Sequence, residues 1–294
     1  MKYGAIDIGS NAVRLLIADI IENNGSISFK KNTLIRVPLR LGDDAFLNQH
    51  ISDKKADDLV KTMHAFRSLM DVYKVTDYMA FATSAMREAK NGDQVVKRII
   101  EEANINLEII HGQKEAKIIY ASHADQAIDK SKTYLYVDVG GGSTELSLFS
   151  AGDLVASKSF NLGTIRILDN QDTEETWNEM HDFLREHTRH FKGISGIGTG
   201  GNINKLYKLA DEKDKAPMSF SKLKSLYTYL NSFSLKDRIN VLGLNQDRAD
   251  VIIPACEIYL SVMKWGGIKQ MYVPSVGMVD GIIQTLIENN SSAS

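Results

Sequence analysis

The chain has 294 residues, 43% of them hydrophobic, and a single cysteine, so it can bury one or two sizeable cores and cannot form an intrachain disulfide. Lys plus Arg number 35 against 37 for Asp plus Glu, a formal net charge of −2, which excludes the overall basic field of a nonspecific nucleic-acid binder. A strand pattern starts by residue 3 with no basic segment and long apolar run ahead of it, so no leader peptide or membrane span is expected and a cytoplasmic enzyme fits.

In chain order, "YGAIDIGSNAVRLLIADI" at 3–20 reads as a strand ending in Asp7, a glycine turn and a returning strand. A turn at Gly25 leads to a third strand that reaches "RLG" at Arg40–Gly42. Residues 53–70 place Ala56, Leu59, Val60, Met63, Phe66, Leu69 and Met70 at helical spacing, and a short strand follows from Tyr78. The strand "NLEII" at 106–110 runs into a helix that opens at Gly112, and the polar stretch 123–133 reads as a linker.

The order then repeats. In "YLYVDVGGGSTELSLF", 134–149, an apolar run is broken by Asp138 and three glycines and then resumes; a plain hairpin would account for this stretch taken alone. Sliding it by 131 positions puts Asp138 on Asp7, Gly140 on Gly9 and Leu146 on Leu15. Gly152, a strand reaching "NLG" at Asn161–Gly163, a helix over 174–191 and a strand from Gly193 complete the second copy. The duplication predicts two α/β domains facing each other across a cleft. Helices are further predicted over 219–235, 248–265 and 277–290, with Pro254 marking a kink or an irregular start and Cys256 a buried structural thiol.

The glycine turns supply the chemistry. "DVGGGST" offers a carboxylate followed by backbone N–H groups that no Cβ shields, at Gly140, Gly141 and Gly142, with hydroxyls from Ser143 and Thr144; successive amides of this kind form an anion-binding concavity. "DIGSN" repeats the arrangement with Ser10 and Asn11 as donors. Two opposed carboxylates would repel a phosphate chain unless a cation lay between them, so Asp7 and Asp138 read as Mg²⁺ ligands, with Mn²⁺ as the alternative ion and Glu145 as a third acid or a residue facing elsewhere. Arg40 and Arg87, at strand ends, are the cations best placed to meet a polyanion. Glu115, in the first turn of its helix, either accepts a proton from water or only favours the positive helix end. The histidines lack paired cysteines or a compact carboxylate set, which argues against a zinc hydrolase.

The stretches "AIDIGSNAVRLLI" (5–17), "ATSAMREAKN" (82–91), "IIHGQKEAKIIY" (109–120), "VDVGGGSTEL" (137–146), "GIGTGGNINKL" (196–206) and "RADVIIPACEI" (248–258) occur in an order that resembles the exopolyphosphatase and guanosine pentaphosphate phosphohydrolase family in its short, two-domain form. The resemblance implies duplicated actin-like domains of the ribonuclease H-like, ASKHA type with an interdomain cleft, divided as 1–124 plus 279–294 and 125–278, without the HD-like helical domain of longer members. It implies Asp7 and Asp138 at the metal with Glu145 nearby, Gly140 to Thr144 on phosphate, and Glu115 as general base. It also implies phosphate contacts from Ser10, Asn11, Arg14, Thr83, Ser84 and Arg87. The implied partner is inorganic polyphosphate or guanosine pentaphosphate, with no nucleic acid and no membrane, and a homodimer as the assembly to test. Two departures stand out: Lys114 replaces the first of two usual glutamates, and "GMVDG" at Gly277–Gly281 replaces "GLREG" and its arginine. An ASKHA-type kinase or nucleotide-binding protein and a noncatalytic polyphosphate sensor are the competing readings.

Overall fold

The computed structural model describes residues 1–23, 26–121, 129, 131–211 and 216–292. The expected Gly25 turn and most of the expected linker at 123–133 lie outside them. The chain divides into two compact units, Met1–Gln126 with Val276–Ser294, and Ala127–Ser275.

The first unit runs β1 (Lys2–Ile8), β2 (Val13–Asn23), β3 (Ser26–Val37), α1 (Leu41–Asn48), α2 (Asp53–Val72), β4 (Asp77–Ala82), α3 (Ser84–Glu88), α4 (Gly92–Ala103), β5 (Glu108–Ile109) and α5 (Gly112–Ala121). The second continues with β6 (Thr133–Val139), β7 (Thr144–Ser150), β8 (Asp153–Phe160), α6 (Thr164–Leu168), α7 (Glu174–Thr188), β9 (Ser195–Thr199), α8 (Gly200–Leu209), β10 (Met218–Ser219), α9 (Phe220–Asn231), α10 (Leu235–Asn240), α11 (Gln246–Ala249), α12 (Ile252–Trp265) and β11 (Gln270–Tyr272). The last helix, α13 (Met278–Ser292), returns to the first unit.

The sheet orders are β3-β2-β1-β4-β5 and β10-β11-β9-β6-β7-β8. Each contains an antiparallel meander, β1-β2-β3 or β6-β7-β8, whose first strand pairs in parallel with the strand that follows a helix, β4 or β9. The duplication predicted from the sequence is therefore present in the strand pairing. β1 is buried from Tyr3 to Ile8 because sheet neighbours flank it on both edges, whereas β3, at the edge, is largely exposed.

In the first unit, Ala5, Leu16 and Phe81 of the sheet pack with Ile118 and Ile119 of α5 and Ile282, Ile283 and Leu286 of α13. In the second, Leu135, Val137, Leu146, Leu148 and Phe160 share a core with Ile203, Leu206, Ile258, Tyr259 and Val262. Each fully buried apolar side chain of this size contributes about 1.5–3 kcal/mol. A Cβ on Gly281 would stand 1.9 Å from the Ile118 carbonyl oxygen, so the second glycine of "GMVDG" lets α13 close on α5.

The helices expected over 219–235 and 248–265 are each divided. Ser232–Ser234 separates α9 from α10, with Ser234 capping α10 through the Asp237 N–H, and Asp250–Val251 separates α11 from α12. Pro254 occupies the first turn of α12, where its missing N–H costs no helical hydrogen bond. Cys256 is fully buried, and burial pushes its thiol far up, away from the reactive thiolate. Among the described residues no helix is long and apolar enough to cross a membrane.

Candidate active site at the strand ends

In the first unit the parallel strands align Ile8 with Ala82 and Ala82 with Ile109, so the segments after β1, β4 and β5 leave the sheet side by side. Those segments carry Ser10 and Asn11, Thr83 to Arg87, and Glu115. Carboxyl ends of neighbouring parallel strands are the usual ligand positions of open α/β sheets. Ser10 Oγ and Ser84 Oγ are 2.8 Å apart and share a hydrogen bond, and the Thr83 N–H donates to the Ile8 carbonyl at 3.1 Å. The Gly42 N–H donates to the Ser10 carbonyl and the Arg40 N–H to the Asn11 carbonyl, which docks the start of α1 on the first glycine turn.

Asp7 is 4% exposed and is register-paired with Arg14, whose Nη1 donates to Asp7 Oδ2 at 2.6 Å. Burial raises the Asp7 pKa, and the Arg14 charge and hydrogen bond oppose that rise. The Arg40 guanidinium pairs with Asp43, and Arg87 Nη1 donates to the Ile110 carbonyl at 2.7 Å. Arg87 thus ties α3 to the segment leading into α5, the helix that presents Glu115 in its first turn. Lys114 turns outward: its Nζ donates to both Glu108 oxygens at 2.7 Å and lies over the Phe81 ring.

In the second unit the same register places Glu145 opposite Asp138, at the position Arg14 holds in the first. Glu145 is 5% exposed and accepts from Ser159 Oγ at 2.8 Å. The turn between them is held by its carbonyls: the Gly140 carbonyl accepts from the Thr164 N–H, that of Gly141 from Ile165, and that of Gly142 from Arg166 Nε at 2.6 Å. Gly141, Gly142 and Ser143 are buried, yet among the described residues their backbone N–H groups donate to no protein acceptor. Buried N–H groups are ordinarily paired, and successive unpaired amides in a turn have the chemistry to hold an anion. Thr144 serves the scaffold instead, its Oγ1 donating to the Leu162 carbonyl at 2.6 Å.

Several supporting residues were not singled out by the sequence patterns. Asn202 Nδ2 donates to the Val139 carbonyl at 2.9 Å and Asn202 Oδ1 accepts from Arg248 Nη1 at 2.9 Å, bracing the strand end before the turn. Arg166 is 7% exposed, an uncommon burial for arginine, and its position just after "NLG" is the signal that could have marked it. Gly200 adopts φ +88° after β9, and a Cβ there would stand 2.6 Å from Asp138 Oδ1. Tyr259 donates to the Thr199 carbonyl at 3.2 Å, and burial, then the Asp138 charge, push its hydroxyl well above the ordinary tyrosine range.

Asp138 and Glu145 face each other across one antiparallel pair, where like charges repel and a cation would relieve them. Asp7 engages Arg14 through Oδ2, so Oδ1 is the oxygen it would offer. These are hard oxygen donors of the kind Mg²⁺ takes in ones and twos alongside phosphate and water. Among the described residues no three His, Cys, Asp or Glu side chains form a metal cage.

The profile of the Ppx/GppA phosphatase family matches residues 21–290. A bifunctional 3-dehydroquinate synthase/phosphatase of Fusobacterium nucleatum is 28% identical over 97% of the chain, which spans 46% of that longer protein. Exopolyphosphatase 1 of Mycobacterium tuberculosis is 22% identical over 99% of the chain and 90% of its own length. Among solved structures, an exopolyphosphatase from Cytophaga hutchinsonii superposes with a TM-score of 0.84 at 23% identity, covering 98% of both chains. The Aquifex aeolicus Ppx/GppA family member does so at 0.77 and 23%, covering 99% of this chain and 98% of that one. With two like sheet-and-helix units and a profile match over most of its length, the chain belongs to the Ppx/GppA phosphatase family.

Proposed function

We propose that the protein is an exopolyphosphatase that releases the terminal phosphate of linear polyphosphate by attack of water. The observation that carries this reading is the buried turn Gly141–Ser143, whose backbone N–H groups lack protein acceptors and suit phosphoryl oxygens. Ser10, Asn11, Ser84 and Thr83 are assigned the same task in the first unit. Arg14 and Arg40 add positive charge, and Arg87 holds the approach to α5 as well as facing the polyanion.

Asp7, Asp138 and Glu145 would hold Mg²⁺, or Mn²⁺ in its place. When bound, the ion offsets phosphate charge and polarises a phosphoryl oxygen. Glu115 accepts the proton as the water oxygen attacks the terminal phosphorus; the bond from that phosphorus to the bridging oxygen breaks, and the shortened chain leaves as the anion. A positioned base of this type contributes roughly 10²- to 10⁴-fold.

The test is a side-by-side assay of phosphate release from polyphosphates of several lengths and from guanosine pentaphosphate, with and without Mg²⁺. Progressive shortening of polyphosphate from its end supports the reading. Preferential cleavage of guanosine pentaphosphate moves the assignment to that substrate. Mg²⁺-dependent transfer from ATP to a hydroxyl acceptor makes the protein a kinase, and tight polyphosphate binding without turnover makes it a sensor.

A further inference from the structure

A cavity of about 300 Å³, at the lower end of the size range of small-molecule sites, lies where α7 and α12 end in the second unit. Its walls include Arg185, Arg189, Phe191, Ile194 and Trp265, with the Gly266–Gly267 backbone beside them. It sits at the opposite end of β9 from the candidate active site: Ile194 immediately precedes the strand and Thr199 ends it beside Asp138, five residues and roughly 16 Å of extended chain later.

Arg185 and Arg189 are one helical turn apart on α7 and therefore share a face. Among the described residues Arg185 makes no hydrogen bond or ion pair, and Arg189 engages only the ring nitrogen of His190, at 2.9 Å. The segment from 185 to 192, "REHTRHFK", contains one acid, Glu186. Cations near the end of α7 complement the helix dipole, which explains some of this charge. It does not explain why two guanidinium groups border a cavity that also presents two aromatic rings, Phe191 and Trp265. Trp265 is held there by edge-to-face packing on Trp177, centroids 6.0 Å apart, and on His181 at 5.3 Å.

We propose that this cavity is a second, noncatalytic binding site for a nucleoside phosphate. Guanidinium forks match phosphate oxygens, and indole and phenyl walls match a heterocyclic base. A bare phosphate or a polyphosphate segment would use only the arginines and leave the accessible parts of the half-buried Phe191 and Trp265 rings uncovered. The site is independent of the hydrolytic reading, since none of its residues belongs to the glycine turns or the acids.

Of the chain's two tryptophans, Trp265 lines this cavity and Trp177 packs against it, so intrinsic tryptophan fluorescence reports on the site locally. The full chain is titrated with ADP and, separately, with pyrophosphate. Expected are saturable quenching by ADP, weaker binding of pyrophosphate, and a loss of ADP affinity of roughly tenfold or more in Arg185→Gln and in Arg189→Gln. Both variants are expected to keep the parental melting temperature and the parental rate of phosphate release from polyphosphate in the absence of ADP. Absence of saturable quenching, quenching unchanged in both arginine variants, or pyrophosphate binding as tight as ADP would each overturn the proposal. Failure of the parental protein to hydrolyse polyphosphate bears on the catalytic reading alone, because the titration does not depend on turnover.

Discussion

Substituting Gly200 by alanine separates backbone strain from displacement of Asp138, an acid of the proposed site. Gly200 has φ +88°, a region that costs an L-residue on the order of 1–3 kcal/mol. Its new Cβ would also stand 2.6 Å from Asp138 Oδ1, which is 0.8 Å inside the 3.4 Å where ordinary contact begins. The carboxylate must therefore give way by several tenths of an ångström, and misplacement approaching 1 Å at a reacting centre lowers rates by about 10²-fold. Gly243 provides the control, since it has φ +63° and an added Cβ there would meet nothing within 4 Å. Both alanine variants should lose about 3–9 °C of melting temperature, at roughly 3 °C per kcal/mol. Only Gly200→Ala should lose most of its Mg²⁺-dependent phosphate release. Parental activity and Mg²⁺ dependence in a folded Gly200→Ala protein would refute the placing of Asp138 at the centre of the chemistry.

Replacing Glu115 with glutamine keeps size and polarity but removes basicity, so single-turnover hydrolysis should fall about 10²- to 10⁴-fold while substrate binding and melting temperature hold; near-parental chemistry would remove Glu115 as the base. For Asp7 the folded-state pKa is raised, so the folded protein takes up the proton more readily than the unfolded chain, and stability falls as pH rises from the ordinary carboxylate range through that raised value. Asp7→Asn carries no such proton: its metal-free melting temperature should depend less on pH over that window and match or exceed the parental value at neutral pH, with phosphate release lost. A steeper pH dependence in the variant would contradict this. Lys31 Nζ lies 2.6 Å from Asp280 Oδ1, and that carboxylate is 2% exposed. Because Lys31 is itself 41% exposed, Lys31→Met should cost about 1–3 kcal/mol by chemical denaturation, less than a fully buried broken pair, and Asp280→Asn in the same background should restore part of it.

The duplicated order of Asp, glycine turn and returning strand was legible in the chain because each step is a local matter: alternation sets the strands, and glycine opens the turn. The same local rules gave the helix over 53–70 and the placing of Asp7 and Asp138 in strands that run into glycine turns. They did not give the breaks at 232–234 and 250–251, where local capping at Ser234 and tertiary packing override a continuous apolar pattern. Helix α4 could have been read from Val95, Ile99 and Ala103, spaced four apart on its buried face. Lys114 and "GMVDG" stand out in the sequence only as departures from the pattern of the family it resembles. Tertiary structure gives each a partner outside its own segment, Glu108 in one case and Lys31 in the other. Arg166, Asn202 and Arg248 hold the second glycine turn from 24, 63 and 46 residues away from the atoms they bind, distances over which no periodicity survives. Sequence alone specified which groups could meet phosphate, because backbone N–H groups and carboxylates carry that chemistry wherever they lie. Only the fold decided which of those groups are spent on the scaffold, as Thr144 is on Leu162, and which have no protein acceptor among the described residues, as is the case for the N–H groups of Gly141 to Ser143, since hydrogen-bond partners are assigned by packing in three dimensions.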